Sequence, residues 1–349
     1  MSTKHTQHGG QLRTASERYR IPLADWLDLS TGINPQSYPI PKCLPQSCWQ
    51  RLPEYDDGLE QAAANYYGSA ELLAVAGSQS AIDTLPSLFS APKKIGVLSP
   101  AYASHASAWH KAGHRIIPLA LSEIEQNLAT IDVLVLVNPV NPTTHLFPRK
   151  QLLRWHQQLQ QRNAWLVIDE AFIDTRAEHS LMQTAAQKNL IVLRSIGKFF
   201  GLAGIRLGFV WAEQAIRVAL AEQQHDWAIS HPARWVAKYA LHDKAWQQQQ
   251  RQQLPQSAQR LQGLLQTYLP KTSANTIIAS EIKRSDLFVY CTCPLASVAD
   301  HYAIQLAQQG ILIRAFSEPP ALRFGLPATA AEWQRLEQAL EQIQPFTSS

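Results

Sequence analysis

The 349-residue chain has few of the residues that mark small secreted or metal-binding proteins. It contains only four cysteines, Cys43, Cys48, Cys291 and Cys293, and their two local pairs match no common zinc spacing. A chain of this length can bury enough apolar surface to fold without a disulfide framework. We therefore expect reduced thiols and no bound metal.

The sequence also has a small net charge and no long apolar run. Lys and Arg total 31 against 27 Asp and Glu, and no long basic run concentrates this small excess. The balance argues against a nucleic-acid partner and favours a small anionic metabolite. The first 25 residues contain no apolar core of signal-peptide length, and no stretch reaches the roughly 18 apolar residues of a membrane span. We expect a cytoplasmic protein without a membrane partner.

Short apolar runs alternate with helix-like stretches, which is the pattern of a parallel sheet with crossover helices. Strand, loop and helix follow one another in LLAVAGSQSAIDTLPSLF and again in KIGVLSPAYASHASAWHKAG. DVLVLV, AWLVID and NLIVLRS are three further buried strands. These repeats predict an α/β architecture, in which ligands bind at the carboxyl ends of the strands.

The chain is predicted to contain three segments. Residues 1–43 are rich in His, Gly and Pro and lack strong periodicity, which indicates an N-terminal arm, and residues 44–240 form a large domain. Residues 241–349 hold alternating helices and strands and are expected to form a smaller α+β domain. The glutamine-rich stretch WQQQQRQQLPQ, residues 246–256, has no apolar periodicity, so we interpret it as the solvated part of a helix without a function.

Four polar features follow directly after predicted strands. Ser78, in AGSQSAI, stands at a predicted helix start, which favours an anion, although a helix N-cap would also explain it. Asn141 lies in NPVNPT, which alone would be an ordinary turn. Asp169 ends a buried strand and needs a cation or a donor, in a salt bridge or in a site. Lys198, in RSIGKFFGLAGIRLG, has apolar neighbours that would desolvate its ammonium, as a Schiff-base nucleophile requires.

The spacing of these residues predicts one shared site. Asn141 and Asp169 are 28 positions apart, and Asp169 and Lys198 are 29 apart, each about one strand-helix-strand unit. An amide, an acid, an amine and an anion cradle match the phenolic oxygen, ring nitrogen, aldehyde and phosphate of pyridoxal phosphate. Arg206 is expected to add a second cation at the phosphate, and Tyr102 to stack on the ring.

The blocks NPVNPT, VIDEAF and RSIGKFFGLAGIRLG resemble those of the fold-type I pyridoxal-phosphate enzymes of the aspartate aminotransferase superfamily. The resemblance covers nearly the whole chain and implies a large domain with a mostly parallel sheet between helices, a smaller C-terminal domain and a homodimer. It also implies eight cofactor contacts. These are Ser78, Gln79, Ser195 and Arg206 at the phosphate, Tyr102 on the ring, Asn141 at the phenolic oxygen, Asp169 at the ring nitrogen and Lys198 at the aldehyde.

The N-terminal stretch HGGQLRTASERYRIPLADWLDLSTGINP resembles that of the threonine-phosphate decarboxylases of cobalamin biosynthesis, whose relatives include histidinol-phosphate aminotransferase. This resemblance implies decarboxylation of L-threonine O-3-phosphate to (R)-1-amino-2-propanol O-2-phosphate. It implies a substrate site formed by His8, Gly9, Thr31, Gly32, Asn34, Asn141, Arg314 and Arg323. Without the resemblance, His8 would be interpreted as a solvated tail residue.

Two positions depart from the superfamily pattern. Phe172 stands where a tyrosine is usual three residues after the aspartate, so a hydroxyl that would contact the phenolic oxygen is missing. Related enzymes carry a Tyr-Pro-Asp segment whose tyrosine reaches the cofactor phosphate of the neighbouring subunit. Here the segment is RLPEYDDG, with Leu52 before the proline and Tyr55 after it.

Three other functions stay open at this stage. An aminotransferase with a phosphorylated substrate would use the same cofactor and the same lysine. SIGK, from Ser195 to Lys198, is similar to the Ser-x-x-Lys element of penicillin-recognising hydrolases, although only KTS at Lys271 approaches their further motifs. A phosphate-binding scaffold that has kept the fold without catalysis is the third, and the intact Lys198 and Asp169 argue against it.

Overall fold

The computed structural model describes residues 9–183, 185–269, 281–344 and 346. The chain divides into two compact units. The larger unit comprises Ser37–Asn141 and His145–Arg251, and the smaller unit contains the chain up to Gln36, Pro142–Thr144 and the chain from Gln252. Residues 9–36 thus group with the C-terminal residues, and the larger unit ends at Arg251 rather than at residue 240.

Helices and strands alternate along most of the chain. The helices are α1 (Leu12–Tyr19), α2 (Ser47–Gln50), α3 (Leu59–Tyr67), α4 (Ser78–Thr84), α5 (Ser104–Lys111), α6 (Ile124–Asn127), α7 (Arg149–Gln160), α8 (Gln214–Glu222), α9 (His231–His242), α10 (Lys244–Tyr268), α11 (Ala296–Gln308) and α12 (Ala330–Glu341). The strands are β1 (Leu27–Asp28), β2 (Leu72–Val75), β3 (Lys94–Leu98), β4 (Arg115–Leu119), β5 (Val133–Val137), β6 (Trp165–Asp169), β7 (Leu190–Ser195), β8 (Gly208–Trp211), β9 (Glu281–Arg284), β10 (Phe288–Thr292), β11 (Ile311–Leu312), β12 (Arg314–Ser317) and β13 (Pro320–Gly325).

A seven-stranded sheet with the order β2-β8-β7-β6-β5-β3-β4 forms the centre of the larger unit. Strand β8 runs antiparallel to β2 and β7, and the other pairs are parallel. Strands β5, β6 and β7 are buried almost along their whole length, which explains their unbroken apolar sequences. The predicted mostly parallel sheet is confirmed, and its parallel strands all end at the same edge.

Two strands of this sheet were not predicted. Strand β4 lies at the sheet edge and contains Pro118, which is tolerated there because an edge strand has N–H positions that pair with nothing. Strand β8 directly follows a glycine-rich loop, which hides the start of its short apolar run. Both strands are recognisable only from their neighbours in the sheet.

The smaller unit contains a four-stranded antiparallel sheet with the order β12-β13-β10-β9, and β1 pairs with β11 in a separate parallel pair. Helix α1 contributes Ala15 to a small cluster with Trp26 and Ala307. Residues 9–36, predicted as part of an arm, therefore hold a helix and a strand. Ala15 is the buried residue of α1, and Leu12 and Tyr19 are partly buried against the same cluster.

The glutamine-rich stretch lies inside α10, and the prediction that it is solvated is wrong for Leu254 and for two of its glutamines. Gln247 and Gln250 are each only 3% exposed. The side-chain amide of Gln247 donates to the carbonyls of Ala240 and Leu241, at 2.9 and 3.0 Å, and so satisfies acceptors at the end of α9. A buried amide of this kind leaves no hydrophobic pattern in the sequence.

The four cysteines are free, as predicted. Burial raises the pKa of Cys293 to about 12 and also raises that of Cys291, so both side chains remain thiols at neutral pH. Within the described ranges, the helices are too short or too polar to cross a membrane.

Candidate active site

The eight predicted cofactor residues lie in the larger unit, at the edge of the sheet where its parallel strands end. Each follows, ends or precedes a strand that reaches this edge. Ser78 and Gln79 follow β2, Tyr102 follows β3, Asn141 follows β5, Asp169 ends β6, Ser195 ends β7, Lys198 follows β7, and Arg206 precedes the antiparallel β8. The sequence spacing of about one strand-helix-strand unit accounts for this arrangement.

Asp169 is the last residue of β6 and is 4% exposed. Its Oδ1 accepts a hydrogen bond from the Ala171 amide at 3.0 Å, and its Oδ2 lies 3.0 Å from His105 Nε2. His105 belongs to α5 and is itself buried. A partner for Asp169 was predicted, but His105 was missed, because a lone histidine in a helix gives no signal of what it faces across the sheet.

Tyr102 joins this pair to the start of α4. Its ring meets the His105 ring edge to face, with centroids 6.1 Å apart. Its hydroxyl donates to Gln79 Oε1 at 3.0 Å, and Gln79 Nε2 donates to Asp83 Oδ1 at 3.0 Å. The side-chain carbonyl of Gln79 therefore holds Tyr102.

An anion cradle forms where α4 begins. The first amides of a helix have no partner within it, and α4 starts at Ser78. An added Cβ at Gly77 would lie 2.8 Å from Arg206 Nη2, and one at Gly208 would lie 2.6 Å from the Ser78 nitrogen. Ser195 pairs in register with Gly208. The Arg206 guanidinium and the first amide of α4 thus lie beside two glycines, and Ser195 pairs with one of these glycines in the sheet.

Lys198 is half-buried, so the predicted desolvation of its ammonium is only partial. The aromatic ring beneath it is that of Phe172, at 5.4 Å from Nζ to the ring centroid. The Gly201 amide donates to the Lys198 carbonyl at 3.2 Å and closes a tight turn after the lysine, with Gly201 at φ 68°. The residue that departs from the superfamily pattern therefore lies directly beside the amine.

A buried ionic network lies behind Asp169. Glu170 is fully buried, and its Oε2 lies 3.3 Å from Arg194 Nη1 and accepts from the Ser180 hydroxyl at 2.5 Å. Arg194 Nη2 also donates to Asp174 Oδ1 at 2.6 Å. Burial raises the pKa of Glu170, although Arg194 opposes the shift. Of the two adjacent acids, Glu170 makes the structural salt bridge and Asp169 faces the cofactor residues.

The smaller unit carries two cations side by side. Arg314 on β12 pairs in register with Arg323 on β13, and like charges directly opposite are unfavourable unless an anion compensates them. Arg323 is 3% exposed and donates from Nη2 to the Ser30 carbonyl at 2.6 Å. Burial and the nearby Arg314 charge lower the pKa of Arg323 to about 9. This pair is suited to bind a carboxylate or a phosphate.

The remaining predicted substrate residues of the smaller unit lie in closely packed backbone. Asn34 is buried and its Oδ1 accepts from the Gln36 amide at 2.9 Å. A Cβ at Gly9 would lie 2.3 Å from the Ser30 carbonyl oxygen, which only glycine permits. Thr31 is half-buried and Gly32 is buried. His8 lies outside the described residues.

Comparisons with known proteins agree with this geometry. The family model described as aminotransferase class I and II matches residues 26–343. A threonine-phosphate decarboxylase of Pseudomonas aeruginosa is 47% identical over 334 residues, which cover 96% of this chain and 97% of that protein. One from Sinorhizobium sp is 34% identical over 97% and 98% of the two chains. The solved histidinol-phosphate aminotransferase of Sinorhizobium meliloti, in complex with pyridoxal-5'-phosphate, covers 98% of both chains with a TM-score of 0.80 and 19% identity.

Proposed function

The chain belongs to the class I and II aminotransferase family and, within it, to the threonine-phosphate decarboxylases, and from this we propose its reaction. It decarboxylates L-threonine O-3-phosphate to (R)-1-amino-2-propanol O-2-phosphate, the aminopropanol linker of cobalamin biosynthesis, with pyridoxal 5'-phosphate as cofactor. The observation that carries this proposal is the similarity to two threonine-phosphate decarboxylases over nearly the full length of the chain.

The residues of the larger unit fit pyridoxal phosphate. Its phosphate matches the cradle of the Ser78 amide, the Ser195 hydroxyl and the Arg206 guanidinium, which two glycines leave free of Cβ atoms. Its pyridine nitrogen needs a buried carboxylate, and Asp169 is one with a hydrogen-bond partner of its own. Its aldehyde needs an amine, and Lys198 supplies it at the same sheet edge.

When bound, pyridoxal phosphate supplies a ring that accepts the electron pair of a bond broken at the substrate α-carbon. Asp169 accepts the hydrogen bond of the protonated ring nitrogen, which keeps the ring electron-poor. His105 holds the Asp169 carboxylate in place and stabilises its charge from behind. Tyr102 packs on His105 and extends this support toward α4.

Lys198 Nζ would hold the cofactor at its aldehyde. The same amine is the group of this chain that would deliver a proton at the substrate α-carbon. Phe172 offers Nζ an aromatic face and no hydrogen-bonding group, so it supports the amine without competing for that proton. The side-chain amide of Asn141 would donate a hydrogen bond to the phenolic oxygen of pyridoxal phosphate.

Which bond of the substrate breaks depends on how the substrate is held, and we assign this role to residues of the smaller unit. The bond that breaks is the one held perpendicular to the ring, so decarboxylation requires the carboxylate and the phosphate to be fixed together. Arg314 and Arg323 anchor these two anionic groups, together with His8, and Gly9, Thr31, Gly32 and Asn34 shape the backbone beside them. The register pairing of the two arginines supports this assignment.

We propose that the protein is a homodimer and that it is cytoplasmic. Trp49, Leu52 and Trp227 are 64%, 60% and 50% exposed and line one groove of the larger unit. Arg206 lines the same groove, so a second copy bound there would lie next to the phosphate cradle. Large apolar side chains that are exposed together in one groove are typical of an interface. Light scattering should give a dimer mass for the unchanged protein and a monomer mass for Trp49→Glu. A monomeric unchanged protein would contradict the dimer, and a dimeric Trp49→Glu would contradict this groove as its interface.

Incubation of the purified protein with threonine phosphate tests the reaction. We expect carbon dioxide and 1-amino-2-propanol O-2-phosphate without any 2-oxoacid, and neither product from Lys198→Ala. The alternative, transamination of a phosphorylated substrate such as histidinol phosphate, would require a 2-oxoacid and release no carbon dioxide. The relative with the aminotransferase name supports that alternative only through its fold.

A further inference from the structure

The glutamine-rich stretch of α10 contains one cation, Arg251, that the proposed function does not use. We propose that Arg251 is a positioning residue for Lys198 and that it helps to set the affinity and the ionisation of bound pyridoxal phosphate. This inference rests on the proposed function for the identity of the cofactor. It concerns residues 195–201, the segment that leads into, contains and follows Lys198.

Arg251 is held from several directions within the larger unit. Its Nε donates to the Asp174 carbonyl at 3.0 Å, and its Nη2 donates to the Tyr66 hydroxyl at 3.1 Å. The guanidinium lies over the Phe199 ring at 5.4 Å and over the Tyr66 ring at 5.5 Å. A planar cation with hydrogen bonds at its edges and aromatic rings against its faces has little freedom to move.

Phe199 transmits this constraint to Lys198 because the two residues are adjacent in the chain. The Phe199 ring is fully buried and meets the Trp246 ring at 5.6 Å. The next residue, Phe200, stacks on the same Trp246 ring at 5.6 Å with an interplanar angle of 13°. Lys198 therefore cannot shift without moving two buried rings that pack on α10.

Arg251 also acts on the strand that precedes Lys198. Tyr66 accepts from Arg251 and donates from its hydroxyl to Asp174 Oδ1 at 2.9 Å. The same carboxylate oxygen accepts from Arg194, which is in β7 directly before Ser195. The segment with Lys198 is thus tied to Arg251 at both ends, through Phe199 on one side and through Arg194 on the other.

Three variants test the proposal. Arg251→Met keeps much of the side-chain volume and removes the charge and all N–H donors, and Arg251→Lys returns a cation with fewer donors. Arg260→Met is the matched control, because Arg260 is also an arginine of α10 that lies over an aromatic ring, at 4.2 Å from Trp333, but in the smaller unit. Each protein is prepared without cofactor and titrated with pyridoxal phosphate.

For Arg251→Met we expect a dissociation constant for pyridoxal phosphate that is at least about tenfold higher. We also expect a displaced pH midpoint of the visible absorbance of the bound cofactor. Arg251→Lys should recover part of both changes, and Arg260→Met should show neither, even where it lowers the melting temperature. If Arg251→Met does not fold, Tyr66→Phe, which deletes only the hydroxyl between Arg251 and Asp174, should produce smaller changes in the same directions.

A folded Arg251→Met, or Tyr66→Phe in its place, that binds pyridoxal phosphate like the unchanged protein with the same pH midpoint would overturn the proposal. Arg251 would then be a structural residue only. Equal changes in Arg260→Met would overturn it too. These measurements use cofactor binding and no substrate, so failure of threonine phosphate decarboxylation in the unchanged protein would leave their outcome interpretable.

Discussion

The hydrogen bond between His105 and Asp169 is testable by a change that preserves the surrounding packing. His105→Phe keeps an aromatic ring of similar size against Tyr102, whose ring now meets the imidazole edge to face at 6.1 Å. It removes the donor that lies 3.0 Å from Asp169 Oδ2. Asp169 keeps the Ala171 amide on its other oxygen, so the carboxylate should remain in position with one partner fewer.

The magnitude follows from the burial of the pair. Both side chains are nearly inaccessible, at 2% for His105 and 5% for Asp169, so water cannot replace the lost donor. A hydrogen bond to a charged group contributes about 1.5–3 kcal/mol. Since 1.4 kcal/mol corresponds to a factor of ten, we expect an activity loss of about 10- to 150-fold.

Carbon dioxide release from threonine phosphate at saturating pyridoxal phosphate is the assay. His110→Phe, an exposed position on the same helix, should retain full activity. A folded His105→Phe protein within twofold of the unchanged activity at every pH would refute the role given to His105.

Three further changes are predicted from the site and its surroundings. Phe172→Leu removes the aromatic face beneath Lys198, worth about 0.5–1 kcal/mol to the ammonium form, so labelling of this amine in cofactor-free protein should begin at lower pH. Glu170→Gln leaves a fully buried guanidinium with one carboxylate fewer and should lower the free energy of unfolding by about 3 kcal/mol, measured by urea denaturation. An unchanged denaturation midpoint would contradict this. Because the pKa of Arg323 is lowered to about 9, KM for threonine phosphate should rise as the pH passes through 9 and the guanidinium loses its charge. In Arg314→Gln the neighbouring positive charge is gone, so the rise should move to higher pH; a KM profile that stays in place would show that this charge has no influence.

The strands that carry the predicted cofactor residues were predictable because their signals are local. Strands β5, β6 and β7 are buried on both faces, so each is an uninterrupted apolar run that ends at a polar residue. The positions of Asn141, Asp169 and Lys198 after those runs follow from the same pattern. Strand β4 escaped prediction because Pro118 interrupts its apolar run, and β8 because it directly follows the glycine-rich loop after Lys198.

What surrounds the candidate site was only partly predictable. Phe172 was visible as a departure from the superfamily pattern, but its position under Lys198 Nζ was not. The glutamine-rich stretch looked solvated, yet Gln247 is buried against carbonyls at the end of α9, and Arg251 packs on Phe199. Whether an amide or a cation is buried depends on its partners, which lie on the preceding helix for Gln247 and after β7 for Arg251.

The sequence by itself determined the order of strands and helices, the residues at the strand ends and the need of a buried Asp169 for a partner, since each depends on neighbours a few positions away. Only the tertiary structure decided that this partner is His105, 64 positions earlier, and that Glu170 rather than Asp169 pairs with Arg194. Successive residues at the end of a strand point to opposite sides, so two adjacent acids enter different surroundings. Which surroundings they meet depends on helices and strands that only folding brings beside them.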